Sequence, residues 1–272
     1  MKPRVPLTLA LGGALTMLLL AMAIFAPWVA PSSPFDQNLY AGLDGPATGH
    51  ALGNDRLGRD MLSRIIFGFR VSFSVGFTVV IVSSLTGTAI GAIAGYAGGK
   101  VDEALMRVCD VFMAFPGILL AIAFMAATGP GLGNVVAALC LMGWTSYARL
   151  ARGQALSLRE REFVTAAEAL GAGPGRIVFL HILPNMLAPL IVEGTFGLAS
   201  AMVAEAGLSF LGLGVQPPNP SLGSMLAEGR QFILVAPHMV AFPGLAIMAA
   251  VMGVNFMGDG LRDWLDPKNN GR

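Results

Sequence analysis

Six stretches of this chain are apolar over lengths that a soluble core helix does not need: Leu7 to Val29, Val71 to Ala97, Val111 to Thr128, Leu132 to Tyr147, Leu187 to Gly214 and Met239 to Gly258. A helix needs about 20 such residues to cross the hydrocarbon of a bilayer. Because lipid offers no partner for a free backbone N–H or C=O, a spanning segment must bond its own backbone. The pattern predicts an all-α membrane protein with six transmembrane helices. Composition agrees, since 12% of the residues are charged against about 25% in soluble domains. A net charge of +1 supplies no basic field, which argues against nucleic acid as a partner. The first run exceeds a signal-peptide core of about 7 to 15 residues and is read as a retained anchor.

Six crossings put both termini on one side, and Lys and Arg choose the side. With the termini cytoplasmic, that side holds Lys2, Arg4, Lys100, Arg107, Arg149, Arg152, Arg159, Arg161, Arg176, Arg262, Lys268 and Arg272, against Arg56, Arg59, Arg64, Arg70 and Arg230 outside. Residues 1–29 form the cytoplasmic tip and first helix. Residues 30–70 form an exported loop, rich in Pro, Gly, Asp and Asn, with a helix from about Arg59 to Arg70 lying along the interface. Residues 71–272 form a five-helix core with a polar cytoplasmic loop at 148–185. Gly87, Gly91 and Gly95 share one face of the second span and permit close helix approach.

The polar loop carries local structure of its own. Ser157-Leu-Arg-Glu160 matches a capping box and predicts a helix start. Phe163, Ala166, Ala167 and Leu170 then recur on one face, Gly171 falls where a left-handed cap is needed, Pro174 opens a second short helix, and Pro184 ends it. Pattern alone leaves two readings level: a segment that inserts into a partner protein, and a connector resting on the membrane surface.

At this point the stretch EFVTAAEALGAGPGRIVFLHILPN resembles the EAA loop of permease subunits of binding-protein-dependent ABC importers. Thr165-Ala166-Ala167, Gly171 and Leu183-Pro184 fall at its spacings, with Thr165 where the family has Glu and His181 where it has Ile. The segments GNDRLGRDMLSRIIFGFRVS, GGKVDEALMRVCDVFMAFP and EAGLSFLGLGVQPPNPSLGSML stand in the order of the second permease subunit of dipeptide, oligopeptide and nickel transporters. The resemblance implies a type I importer fold, a heterodimer with a related permease, two ATPase subunits and an extracytoplasmic binding protein. It assigns the coupling contact to Thr165, Ala166, Ala167, Leu170, Gly171, Arg176, Leu183 and Pro184.

An ATP-driven pump needs a phosphate cradle, yet the only Gly-Lys pair, Gly99-Lys100, has Ala94 at the first glycine position and is followed by Val101. No P-loop is present. ATP and Mg are therefore expected on partner ATPases, with no cofactor bound by this chain, and the loop reads as a docking segment. Glu193 and Glu205 lie in the fifth run, where a carboxylate faces a pathway or a hydrogen-bonding partner; both are candidates for pathway or gating roles. Glu103, Arg107 and Asp110 read as a surface ion-pair set, while Pro116 and Pro189 are candidates for kinks within spans. His50, His181 and His238 share no ligand spacing, Cys109 and Cys140 read as small buried hydrophobes, and no catalytic set is evident. The expectation is a multi-pass inner-membrane transport subunit rather than an enzyme, for short peptides, with nickel or its chelate as the alternative cargo. An ion-coupled secondary transporter working through Glu193 and Glu205 is the rival class.

Overall fold

The computed structural model describes residues 6–265, and every regular element among them is helical. Lys2, Arg4, Lys268 and Arg272 lie outside the described residues. The elements are α1 (Leu7–Ile24), a short α2 (Ala26–Val29), α3 (Met61–Ala97), α4 (Gly99–Met113), α5 (Gly117–Thr128), α6 (Leu132–Arg159), α7 (Glu162–Ala169), α8 (Pro174–Ile177), a π-helical turn (Val178–Ile182), α9 (Leu183–Phe210), α10 (Leu222–Gly229) and α11 (His238–Leu265), with 3-10 turns at Leu39–Ala41 and Arg230–Phe232.

The glycine face of α3 sets the centre of the bundle. A Cβ on Gly87, Gly91 or Gly95 would run into the backbone of Trp144, Ala148 or Arg152 in turn, so α3 and α6 touch main chain to main chain. The partner numbers rise together, so the two helices run parallel. The α4–α5 pair between them must therefore return the chain to the end from which α3 started. It does so through an 81° bend at Ala114–Pro116, where Pro116 precedes α5 rather than kinking a continuous span. Against α3, helix α9 runs antiparallel, with Gly76 facing Leu198 and Met202. Helix α1 runs antiparallel along α11, with Gly253 facing Thr16.

By length and composition four helices can cross a membrane, namely α1, α3, the continuous helix Pro174–Phe210 and α11, or five if the bent pair is one span. The sixth expected run, α6, differs because its apolar half ends at Gly143. Trp144-Thr145-Ser146-Tyr147, Arg149 and Arg152 follow within the same helix.

Three local expectations are corrected. The capping box at Ser157 does not form: α6 continues to Arg159, because Ala148, Ala151 and Ala155 stay buried as it runs along α3. Tertiary packing overrides the local start signal, and α7 begins at Glu162 without a side-chain cap. Pro184 ends nothing. It sits in the first turn of α9, directly after the π turn, so α8 and α9 form one helix from Pro174 to Phe210. The missing proline N–H is tolerated where the wider π turn has already broken the i−4 ladder.

The third correction concerns residues 59–70. They form no separate helix: residues 61–70 are the first turns of α3, and Arg59 and Arg64 are buried. Asp55 accepts from the Arg59 Nε at 2.6 Å and from Arg64, while Glu228 on α10 accepts from Arg59 at 3.2 Å and from Arg64 at 3.3 Å. Burial pushes the Asp55 carboxyl up, but the Arg64 charge and the bonds from Arg59 outweigh it and hold it below its ordinary 3.8. Asp60 caps α3 through the Ser63 N–H at 2.8 Å and pairs with His50 at 3.0 Å, and His238 Nε2 donates to the Asn54 carbonyl at 3.0 Å. The connection from α2 to α3 is thereby clasped onto α3, α10 and α11.

Candidate functional site

Two features at different depths bear on function. The first is the loop at the far end of the bundle. Helix α7 ends in a Schellman cap: the Gly171 N–H donates to the Glu168 carbonyl at 2.9 Å and the Ala172 N–H to the Ala167 carbonyl at 3.0 Å. Gly171 adopts φ +84° and a Cβ placed there would have nothing within 4 Å, so the requirement for glycine is conformational and not steric.

The loop is pinned by Val164, Ile177 and Ile182, which are buried with Ala92, Ala151, Ala155, Met186 and Leu190, and Ala167 is buried one turn after Val164. The anchoring face of α7 is therefore Val164 with Ala167. Of the four residues expected on that face only Ala167 is buried, whereas Phe163, Ala166 and Leu170 point outward, because an eight-residue helix needs only an i, i+3 pair to seat it. Leu170 is 89% exposed, and Phe179 and Leu180 are exposed in the π turn that follows. Thr165 is exposed and donates its hydroxyl to the Glu162 carbonyl at 2.9 Å; Arg176 and Pro184 are exposed, and Leu183 is half-buried. Tyr96 donates to Glu168 at 3.3 Å and Arg152 binds both oxygens of Asp102, at 2.5 and 2.7 Å, tying α3, α4, α6 and α7 together at this end. The predicted Glu103–Arg107 pair forms on the surface at 3.9 Å, without Asp110.

The second feature is a cavity of about 310 Å³ between α3, α5, α6 and α9. Its wall includes Ser83, Ser146, Tyr147, Glu193 and Ser200 among apolar side chains. Glu193 is half-buried and its carboxylate makes no hydrogen bond among the described residues. The buried Ser83 and Tyr147 hydroxyls also lack partners. Glu205 differs: it is fully buried, accepts from Ser72 at 2.9 Å and Ser209 at 2.8 Å, and does not line this cavity. Sequence reasoning found both glutamates but neither serine partner of Glu205, nor Ser83 and Tyr147. The one signal was the polar run Trp144 to Tyr147 at the tail of a predicted span. A larger apolar groove of about 900 Å³ lies between α3, α8, the π turn and α9. Among the described residues no group of three or more His, Cys, Asp or Glu is placed to hold a metal.

A helical bundle with several apolar spans, a glycine-capped loop presenting apolar side chains at one end, and a part-polar cavity at mid-depth defines a multi-pass membrane transport subunit. Residues 87–271 match the family described as binding-protein-dependent transport system inner membrane component, and residues 9–46 match the N-terminal transmembrane domain of oligopeptide transport permease C. The chain belongs to the first family and is a permease subunit of an ABC importer in the inner membrane.

Among its relatives are the dipeptide transport system permease protein DppC of Alkalihalophilus pseudofirmus, 49% identical over 91% of this chain and 81% of that protein, and the di/tripeptide transport system permease protein DppC of Pseudomonas aeruginosa, 45% identical over 95% and 88%. The glutathione transport system permease protein GsiD of Pectobacterium atrosepticum is 44% identical over 94% and 85%. In fold, the chain is similar to one from the inward-facing MetNI methionine ABC transporter, with a TM-score of 0.62 at 18% identity over 76% of this chain and 98% of that one.

Proposed function

We propose that this chain imports short peptides as one of two related permeases, crosses the membrane six times with both termini and the Gly171 loop in the cytoplasm, and receives its energy from partner ATPases that dock on that loop. The observation that carries the coupling role is the exposed Leu170 next to the Gly171 cap, with Leu180 exposed in the π turn that follows. Exposed apolar side chains beside exposed Arg161 and Arg176 suit a protein groove, and nothing in the described fold covers them.

Six crossings are supported by the parallel run of α3 and α6, which calls for a return through α4–α5. The orientation is supported by charge. Lys100, Arg107, Arg149, Arg152, Arg159, Arg161, Arg176 and Arg262 gather at the Gly171 end, and two of the five arginines at the opposite end are neutralised inside the Asp55 clasp. The second permease is assigned to the apolar groove between α3 and α9, which borders the loop, so that a subunit seated there would move with it.

Coupling then has a mechanical route. The loop's anchor Ile177 and Glu193 lie on one continuous helix, Pro174 to Phe210, about 24 Å apart at 1.5 Å per residue. ATP and Mg would be bound by the ATPases, whose closure moves the Ala166 to Leu183 segment as a lever and tilts α9 beside the cavity. Cargo named for the relatives, dipeptides, di/tripeptides and glutathione, supports a peptide over nickel or its chelate. The test is co-purification of the chain with the products of its neighbouring genes. An ATPase should accompany the native chain and be lost from Leu170→Asp; if none ever accompanies the native chain, the reading is wrong. Titrating the binding protein with dipeptides, glutathione and Ni²⁺ side by side decides the cargo.

A further inference from the structure

We infer that Glu193, Tyr147 and Ser83 form a binding site for the amino-terminal end of the cargo, a protonated amine next to a carbonyl, within the membrane-spanning part of this chain. The inference rests on the peptide-importer reading and goes beyond it, because it places cargo recognition in the permease itself and names the groups that perform it.

The wall of the 310 Å³ cavity holds two hydroxyls that the fold does not satisfy. The Ser83 Oγ and Tyr147 Oη are both buried without a hydrogen-bond partner among the described residues, on residues that are 1% and 3% exposed. A buried hydroxyl left unpaired costs about 1–3 kcal/mol, so a folded chain keeps such groups where something else completes them. Each is also packed against a glycine at the cavity wall. A Cβ on Gly143 would meet the Ser83 Oγ, and a Cβ on Gly197 would meet the Tyr147 Oη. Both glycines line the cavity with the hydroxyls, and a side chain at either would displace the hydroxyl it touches.

The third polar group is Glu193, whose carboxylate is likewise unbonded among the described residues. Charge in a span is retained for a partner of opposite sign or for a polar ligand. The other glutamate of the same helix, Glu205, shows the contrast: each of its oxygens accepts from a serine, Ser72 or Ser209, and it is fully buried away from the cavity. One anionic acceptor with two neutral donor–acceptor hydroxyls matches the first residue of a peptide, with Glu193 taking the ammonium and the hydroxyls donating to the adjacent carbonyl. At about 310 Å³ the space is at the small end of ligand pockets, enough for an amino-terminal residue and too small for a long peptide enclosed whole.

The site is tested in the assembled transporter carrying S200C in a chain whose Cys109 and Cys140 are replaced by Ala, since Ser200 lines the same cavity. Relative to the same two reagents on free cysteine, a trimethylammonium thiol reagent should gain about tenfold over a sulfonate reagent of similar size at the introduced thiol, and E193Q should erase that charge preference. Alaninamide should protect the thiol and N-acetylalaninamide, which lacks the ammonium, should not. Y147F and S83A should each weaken protection by about threefold, as the loss of one hydrogen bond implies. A thiol that reacts with neither reagent, a charge preference that survives E193Q, or equal protection by the two amides would overturn the site. If protection holds but the native transporter takes up no peptide, the peptide reading fails and the amine site stands.

Discussion

The two ends of the bundle handle exposed chemistry in opposite ways. At the end where α3 begins, four charged side chains, Asp55, Arg59, Arg64 and Glu228, are drawn inward and neutralise one another, and the connection from α2 is fastened by Asp60, His50 and His238. At the Gly171 end the anchors are few, and Leu170, Phe179 and Leu180 are exposed, with open space about the Gly171 cap. The first end settles its charges within one chain, although Leu39, Tyr40, Leu234 and Val235 stand exposed there. The second presents the loop to which the proposed ATPase contact is assigned, and the cavity is lined by the helix that joins loop to bundle.

The largest effect expected is at the closed end. Asp55→Asn leaves two buried guanidinium groups with only Glu228 between them, and removing one partner of a buried ion set costs about 3–5 kcal/mol. Thermal unfolding in detergent should show a marked fall in midpoint, and yield should drop; an unchanged midpoint would mean the clasp carries no stability. Acid sharpens the same contrast. The folded carboxyl lies below the ordinary 3.8, so its contribution is present above that pH and is lost as pH falls through the lowered value. Native protein should lose stability steeply in that window, and the Asn variant should lose much less.

Next in size is the contact between α3 and α6. Gly91→Ile forces the helices apart where the Ala148 backbone now lies, with a cost of about 1–3 kcal/mol for overpacking. Because α6 carries Tyr147 and α3 carries Ser83, this variant should also lower peptide uptake. Uptake and stability that both stay native would show that the bundle can spread at no cost.

At the open end, Gly171→Val should leave insertion and assembly intact while uncoupling uptake from ATP hydrolysis. The strain of a β-branched residue in a left-handed cap is about 1–2 kcal/mol, too small to unfold the chain but enough to redirect the loop. Gly171→Asn, which tolerates that conformation, should retain most uptake. Equal loss in both variants would assign the effect to side-chain bulk, against the open space observed.

How much of this is legible in the sequence follows the same division. The glycine face of α3 and the cap at Gly171 depend on neighbours within a few turns, and each is where spacing puts it. The clasp reads as an interfacial helix in sequence because the partner Glu228 is 169 residues from Arg59; nothing near Arg59 in sequence announces that its charge is cancelled. The capping signal at Ser157 fails for a related reason, since packing of α6 on α3 outweighs a cap worth about 1 kcal/mol. Ser83 and Tyr147 escape because an unpaired hydroxyl is a property of the assembled cavity and leaves no mark on spacing.

The smallest effect expected is at Thr165, where the family's usual residue is Glu. Its hydroxyl donates only to the Glu162 carbonyl, within its own helix and in solvent, so Thr165→Ala should change stability by less than about 0.5 kcal/mol. If this exposed position contributes nothing to docking, uptake should also stay near native, in contrast with Leu170→Asp one turn further on. Thr165→Glu restores the family's carboxylate at an exposed site beside Arg161, and ATPase retention during purification should then equal or exceed that of the native chain. Retention that falls with Glu would mean the partner's groove at this point is shaped for the smaller side chain, and that the ATPase has adapted to Thr165.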